Sequence, residues 1–178
     1  LYTVEKFEKL IAQPENRERL LELIDGEIVE KMPTERHGEI VALIIAALVA
    51  FVRPRKLGRI GVEVRHRMPQ DRRNSRLPDA SFISGQRPSV TEGSVPQMPD
   101  LAIEVKSPDD SLKELRERAQ YYLLNGTRLV WLFDPAKRYV IALTADDEQI
   151  FLEHETLDGD VLPGFSLPLA DIFGDPLE

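Results

Sequence analysis

The chain has no cysteine among its 178 residues. Disulfides, thiolate nucleophiles and cysteine-ligated zinc are therefore excluded, and a reducing, cytoplasmic setting is the expectation. There is no Gly-rich phosphate loop and no Gly-x-Ser-x-Gly elbow, which argues against nucleotide hydrolases and esterases. Long apolar runs are missing too. The longest, Ile40 to Val52, has thirteen residues, short of the about 20 that span a bilayer. No secretory leader pattern is visible, and no membrane association is expected. Lysine and arginine are absent from Ala145 onward, where ten carboxylates fall.

What is present is an ordinary globular composition, 42% apolar and 30% charged, with no linker, repeat or low-complexity tract. One domain over residues 1–178 is expected. The net charge of −8 hides a strong asymmetry. Nine Lys/Arg lie between Arg53 and Arg76, opposed only by Glu63 and Asp71. A basic stretch on an acidic body is a pattern that suits phosphate binding. Arg65, Arg67, Arg72, Arg73 and Arg76 are the candidate nucleic-acid contacts, although a solvated arginine-rich loop has the same composition.

Residues 3 to 14 read as a helix with Thr3 as N-cap. Two short strands around Asp25-Gly26 read as a hairpin, since that pair supplies the positive φ angles of a two-residue turn. A helix from about Glu35 to Val52 should stop before Pro54. Its apolar character suits burial on most sides, or partial burial by a partner subunit. Ile60 to Met68 alternates strictly, predicting a half-buried strand with Glu63, Arg65 and Arg67 outside and His66 among the core side chains. Leu77 to Ser84 predicts a strand, Gly85 to Pro99 a long loop, and Asp100 to Ser107 another strand. Ser111 starts a helix that runs to Leu124 and closes at Asn125-Gly126. The apolar run Arg128 to Asp134, containing Trp131, suits the centre of a covered sheet. Further strands are expected over Arg138 to Thr144 and Gln149 to Glu155.

The chemistry concentrates between residues 79 and 106. Residues two apart on a strand share a face, about 6.6 Å apart, so Glu104 and Lys106 should project together. A glutamate, a second carboxylate and a lysine form the set that metal-dependent phosphodiester cleavage uses. Two acids hold Mg²⁺, the Val105 carbonyl adds an oxygen, and the lysine serves the attacking water or the phosphate. Of two Pro-Asp pairs, Asp100 lies roughly 13 Å from Glu104 along one strand, too far to share an ion. Asp79 begins a different strand that can pair beside Glu104, and is the expected second ligand. Glu104-Val105-Lys106 is the only acid-x-Lys triplet in the chain.

These motifs carry a resemblance. The Asp25-Gly26-Glu27 hairpin with Pro33 and His37, the Pro78-Asp79 strand and Asp100 through Pro108 are its first half. Tyr122, Asn125-Gly126, Val130-Trp131-Leu132, Asp134-Pro135 and Leu162-Pro163-Gly164-Phe165 are its second. Together they resemble the Uma-type (Uma-two) family of restriction-endonuclease-like proteins within the PD-(D/E)xK nuclease superfamily. The resemblance implies an α/β fold with a restriction-endonuclease-like core, a mixed central sheet flanked by helices, a divalent metal and DNA as substrate. Many members carry a lysine one helix later, near Arg118, in place of one at Lys106. Here Lys106 is the expected base and Arg118 an accessory phosphate or carboxylate contact, because arginine keeps its proton. Glu27 resembles an early acidic residue near such sites, and His37 is a further accessory candidate.

The reading is a Mg²⁺-dependent DNA endonuclease, with Mn²⁺ substituting, in which Asp79, Glu104 and Lys106 are catalytic and a homodimer is expected. Its rivals are a catalytically silent nucleic-acid-binding module on the same fold, and a structural subunit without a nucleic-acid role.

Overall fold

A six-stranded sheet forms the middle of the molecule, in the order β3 (Gly58–Val62), β4 (Ala80–Ser84), β5 (Leu101–Val105), β6 (Leu129–Asp134), β7 (Tyr139–Leu143) and β8 (Glu148–Leu152). The computed structural model describes every residue, Leu1–Glu178. Only β5 and β6 run parallel, because α3 (Leu112–Leu124) carries the chain back between them. All other neighbours are antiparallel, so the sheet is mixed and flanked by helices, as the resemblance implies.

The two faces of β5 show why both sides are covered. Leu101, Ile103 and Val105 pack with Ile40, Ile44 and Leu48 of α2 (Glu35–Arg55). Ala102 packs on the other side with Leu115, Ala119 and Tyr122 of α3. Trp131 is fully buried in β6, in keeping with that strand's unbroken apolar run. Ser111 caps α3 through a reciprocal box with Glu114, the arrangement its sequence spacing predicts.

A second, two-stranded sheet stands apart: β1 (Leu20–Ile24) and β2 (Glu27–Lys31), joined by Asp25 at φ 50° and Gly26 at φ 87°. Its outer face, Leu21 and Leu23, packs on Val4 and Phe7 of α1 (Val4–Ile11). The other face points at the central sheet.

Several boundaries differ from the sequence reading, two of them with consequences for the site. Helix α2 continues through Pro54 to Arg55 and ends where Lys56 turns left-handed, at φ 54°. A proline in the last turn costs one backbone bond, while Val52 stays buried beneath it. At 21 residues the helix is long and apolar enough to cross a membrane, yet Ile40, Val41, Ile44, Leu48 and Val52 are buried within the molecule. The strand expected over Ile60 to Met68 ends at Val62. Glu63 adopts φ 50°, which ends the alternation and redirects the arginines that follow. His66 is nonetheless buried and satisfied, through the Gln97 carbonyl at 2.9 Å and the Ser81 hydroxyl at 3.4 Å.

Candidate active site

Antiparallel register brings the two acids together. Ala80 pairs with Ile103, and one step further along both strands lie Asp79 and Glu104. The Asp79 carboxylate accepts the Val105 N–H at 2.7 Å, which fixes it against β5. Asp100, at the other end of β5, accepts from Ser84 N–H and hydroxyl at 2.7 and 2.9 Å and takes no part.

The ammonium between the acids belongs to Lys31, the last residue of β2. Its Nζ donates to Asp79 Oδ1 at 3.0 Å, to Glu104 Oε2 at 3.3 Å and to the Leu77 carbonyl at 2.5 Å. Lys106 does not join the cluster. Strand β5 ends at Val105, the chain turns, and Lys106 Nζ donates to the Ser107 carbonyl at 3.3 Å.

Two more residues arrive to which the sequence reading gave no role at the site. Glu22 of β1 is fully buried; it accepts the Leu77 N–H at 2.7 Å and Arg118 Nη1 at 2.5 Å. Tyr122 donates its hydroxyl to Glu104 Oε1 at 2.7 Å. The available signal for Glu22 is a lone charge inside Leu-Leu-Glu-Leu-Ile, since a buried charge needs a partner. Lys31 carries no comparable local signal.

Of the accessory candidates, Arg118 does reach the site, 3.8 Å from Glu104 Oε1. His37 Nε2 lies 3.2 Å from Asp79 Oδ2, while its N–H is capped by Thr34. Glu27 does not arrive: it is exposed near the hairpin turn, paired with Ile24.

Electrostatics follow from this crowding. Burial opposes the Lys31 ammonium, but the charges of Glu104, Glu22 and Asp79 outweigh it and hold its pKa well above the usual lysine value. Burial also opposes ionised Asp79, yet Lys31, His37 and the Val105 N–H keep its carboxyl well below the ordinary range. Glu104 goes the other way. Burial pushes it up, Lys31 pulls against that, and Asp79 and Glu22 add to it. His37 is raised, because its bond to Asp79 overcomes burial.

The acids line a cavity of about 140 Å³ together with Lys31, His37, Val105 and Arg118. Three carboxylates (Glu22, Asp79, Glu104) face two permanent cations (Lys31, Arg118). No three His, Asp or Glu side chains gather closely enough to make a metal site by themselves. Asp79, Glu104 and the Val105 carbonyl nevertheless supply hard oxygen donors of the kind that Mg²⁺ takes. Lys31 marks the place between the two acids where positive charge is favoured.

The arginine-rich segment does not form an open strip. Arg65 donates to the Leu21 carbonyl at 2.7 Å and lies over the Phe7 ring. Arg67 pairs with Glu8 at 3.0 Å. Arg76 is buried against Asn74 and the Tyr121 ring. Arg73 donates to the Asp25 carbonyl at 2.5 Å, and Arg72 pairs with Glu5 at 3.3 Å. Only Arg72 and Arg73 of the five are exposed. The segment fastens α1 and the hairpin to the body instead.

A sequence profile of the Uma2 family, described as "Putative restriction endonuclease", matches residues 4–170. A solved structure, "a putative nuclease belonging to DUF820 from Anabaena variabilis", superposes with a TM-score of 0.81. The two chains are 24% identical, and the match covers 97% of this chain and 98% of that one. At that identity the likeness establishes a shared fold. No curated protein sequence matches.

Proposed function

The chain belongs to the Uma2 family, whose description is that of a nuclease, and on that premise we propose that it is a divalent-metal-dependent endonuclease that hydrolyses DNA phosphodiester bonds. The observation that carries the reading is that acids from two adjacent strands, Asp79 and Glu104, share one buried cation. Asp79, Glu104 and the Val105 carbonyl would hold Mg²⁺, with Mn²⁺ as substitute. When bound, the metal would supply an activated water and neutralise phosphate charge.

The chain's own residues divide the remaining work. Lys31 keeps its proton throughout the neutral range, so it stabilises negative charge at the phosphate and does not act as a base. Arg118 and Tyr122 orient Glu104 from behind. Glu22 holds Arg118 in place. His37 holds a proton toward Asp79 Oδ2.

Supercoiled plasmid incubated with Mg²⁺ or Mn²⁺ tests this. Wild type should nick at least about 100-fold faster than Glu104→Ala; equal rates end the proposal. A second reading, the silent binding module, draws support from Lys31 already satisfying both acids. It requires salt-sensitive DNA binding that survives Asp79→Ala, with no turnover under either metal.

A further inference from the structure

Helix α2 buries one side and leaves the other open. Glu39, Ala42, Leu43, Ala46, Ala50 and Arg53 are exposed, with half-buried Val49 among them. At 100° per residue these seven positions fall within about 60° of Ala46, making one continuous stripe. Nothing else in the chain covers its middle, where Leu43 is 39% exposed.

The stripe has a symmetry that an ordinary apolar face lacks. Counting outward from Ala46, Val49 answers Leu43, Ala50 answers Ala42, and Arg53 answers Glu39. Reversing the helix reproduces the pattern with its terminal charges exchanged. Such a surface is self-complementary about a two-fold axis. Two helices laid antiparallel would set each Glu39 against the Arg53 of the other copy. Arg53 is exposed and pairs with no carboxylate of its own chain, while Glu39 makes only an exposed contact with Arg36 at 3.3 Å. Alanines at 42, 46 and 50 keep the centre low, so the axes can approach to about 8 Å. An unrelated partner would gain nothing from the palindrome; a second copy of this chain uses all of it.

We infer that α2 is a homodimer interface, two copies packed antiparallel with Ala46 on the two-fold axis. The inference stands independently of the metal and of the hydrolytic reading. His37 lies nine residues before Ala46, so the pairing sets the two cavities at opposite ends of the helix pair, about 27 Å apart along its axis at 1.5 Å per residue.

Sedimentation of the full chain at about 50 μM tests the interface. Wild type should run at twice 20.3 kDa, and Ala46→Glu as a folded monomer with an unchanged circular dichroism spectrum. Glu39→Arg and Arg53→Glu should each weaken the dimer at least about tenfold, and the double variant should return to within about threefold of wild type. Because the chain has no cysteine, Ala46→Cys should oxidise to a linked dimer while Lys113→Cys, exposed on α3, should not. A monomeric wild type overturns the inference, as does a dimer that survives Ala46→Glu or a double variant that fails to recover. Monomeric protein that co-sediments with anionic phospholipid vesicles, and loses this with Ala46→Glu, overturns it as well and assigns the stripe to a lipid surface.

Discussion

Asp79 lies directly across from Glu104, one step beyond the last paired residues of β4 and β5, and a single ammonium, Lys31 Nζ, contacts both at 3.0 and 3.3 Å. The carboxylates come from the central sheet and the cation from a separate hairpin. The cluster therefore exists only when the two sheets are docked, and its parts can be tested one by one.

The two lysines should separate cleanly. Lys31→Met leaves Asp79 and Glu104 buried without their shared cation, a loss of about 3–5 kcal/mol. In a domain of this size that lowers the thermal midpoint by on the order of 10 °C. Plasmid nicking should fall with it. Lys106→Met should stay within about 0.5 kcal/mol of wild type and keep its nicking rate within a few-fold. A large rate loss in Lys106→Met with Lys31→Met unaffected would restore the sequence-based assignment.

Tyr122→Phe removes a hydroxyl that donates to a buried carboxylate. Bonds of this kind contribute about 1.5–3 kcal/mol, read as a drop in midpoint by calorimetry. Tyr121→Phe is the control, since its hydroxyl meets Asp71 nearer the surface, and it should cost about half as much or less. Equal costs would show that Glu104 does not depend on Tyr122.

His66 should make stability pH-dependent in a predictable direction. Burial lowers its pKa to about 4, against bonding to the Gln97 carbonyl, from an ordinary value of 6.5. The unfolded chain takes up the proton first as pH falls. The stabilisation from keeping this imidazole neutral is therefore complete above pH 6.5 and is lost between about 6.5 and 4, amounting to roughly 3 kcal/mol. Urea unfolding of wild type and His66→Gln at several pH values should give curves whose separation narrows across that window. A constant separation would mean that His66 contributes no proton linkage.

Within the basic segment, the exposed and inward arginines should behave differently. Arg65→Ala and Arg76→Ala remove packed, hydrogen-bonded side chains, and should lower stability by about 1–3 kcal/mol. Arg72→Ala and Arg73→Ala should change stability little and instead reduce the salt dependence of DNA retention. If all four weaken retention equally at unchanged stability, the segment is an open strip after all.

How far the site is legible in the sequence depends on distance along the chain. Asp79 and Glu104 are readable because each sits at the end of its own strand, and neighbouring strands can pair. The Ser111–Glu114 capping box and the Asp25-Gly26 turn are local and equally readable. Lys31 is not, because it lies 48 residues from Asp79 and 73 from Glu104, and nothing in β2 says which sheet edge it will meet. Lys106 sits at the right spacing, but the spacing rule assumes a strand that continues past Val105. Arg65, Arg67 and Arg76 are misread for a related reason. The strict alternation after Ile60 predicts an outward-facing row, and only the backbone at Glu63 reveals that the row is broken.

The separate hairpin has a further consequence. Half of the charge cluster rides on a short arm, fastened by α1, by arginines and by backbone bonds such as the Leu23–Ser75 pair, and the other half is built into the buried centre of the main sheet. Peeling the arm away withdraws Lys31 and Glu22 in one movement while Asp79 and Glu104 keep their backbone positions. The charge cluster can thus come apart at a free energy well short of global unfolding, and amides of β1 and β2 should exchange with solvent long before those of β5 and β6.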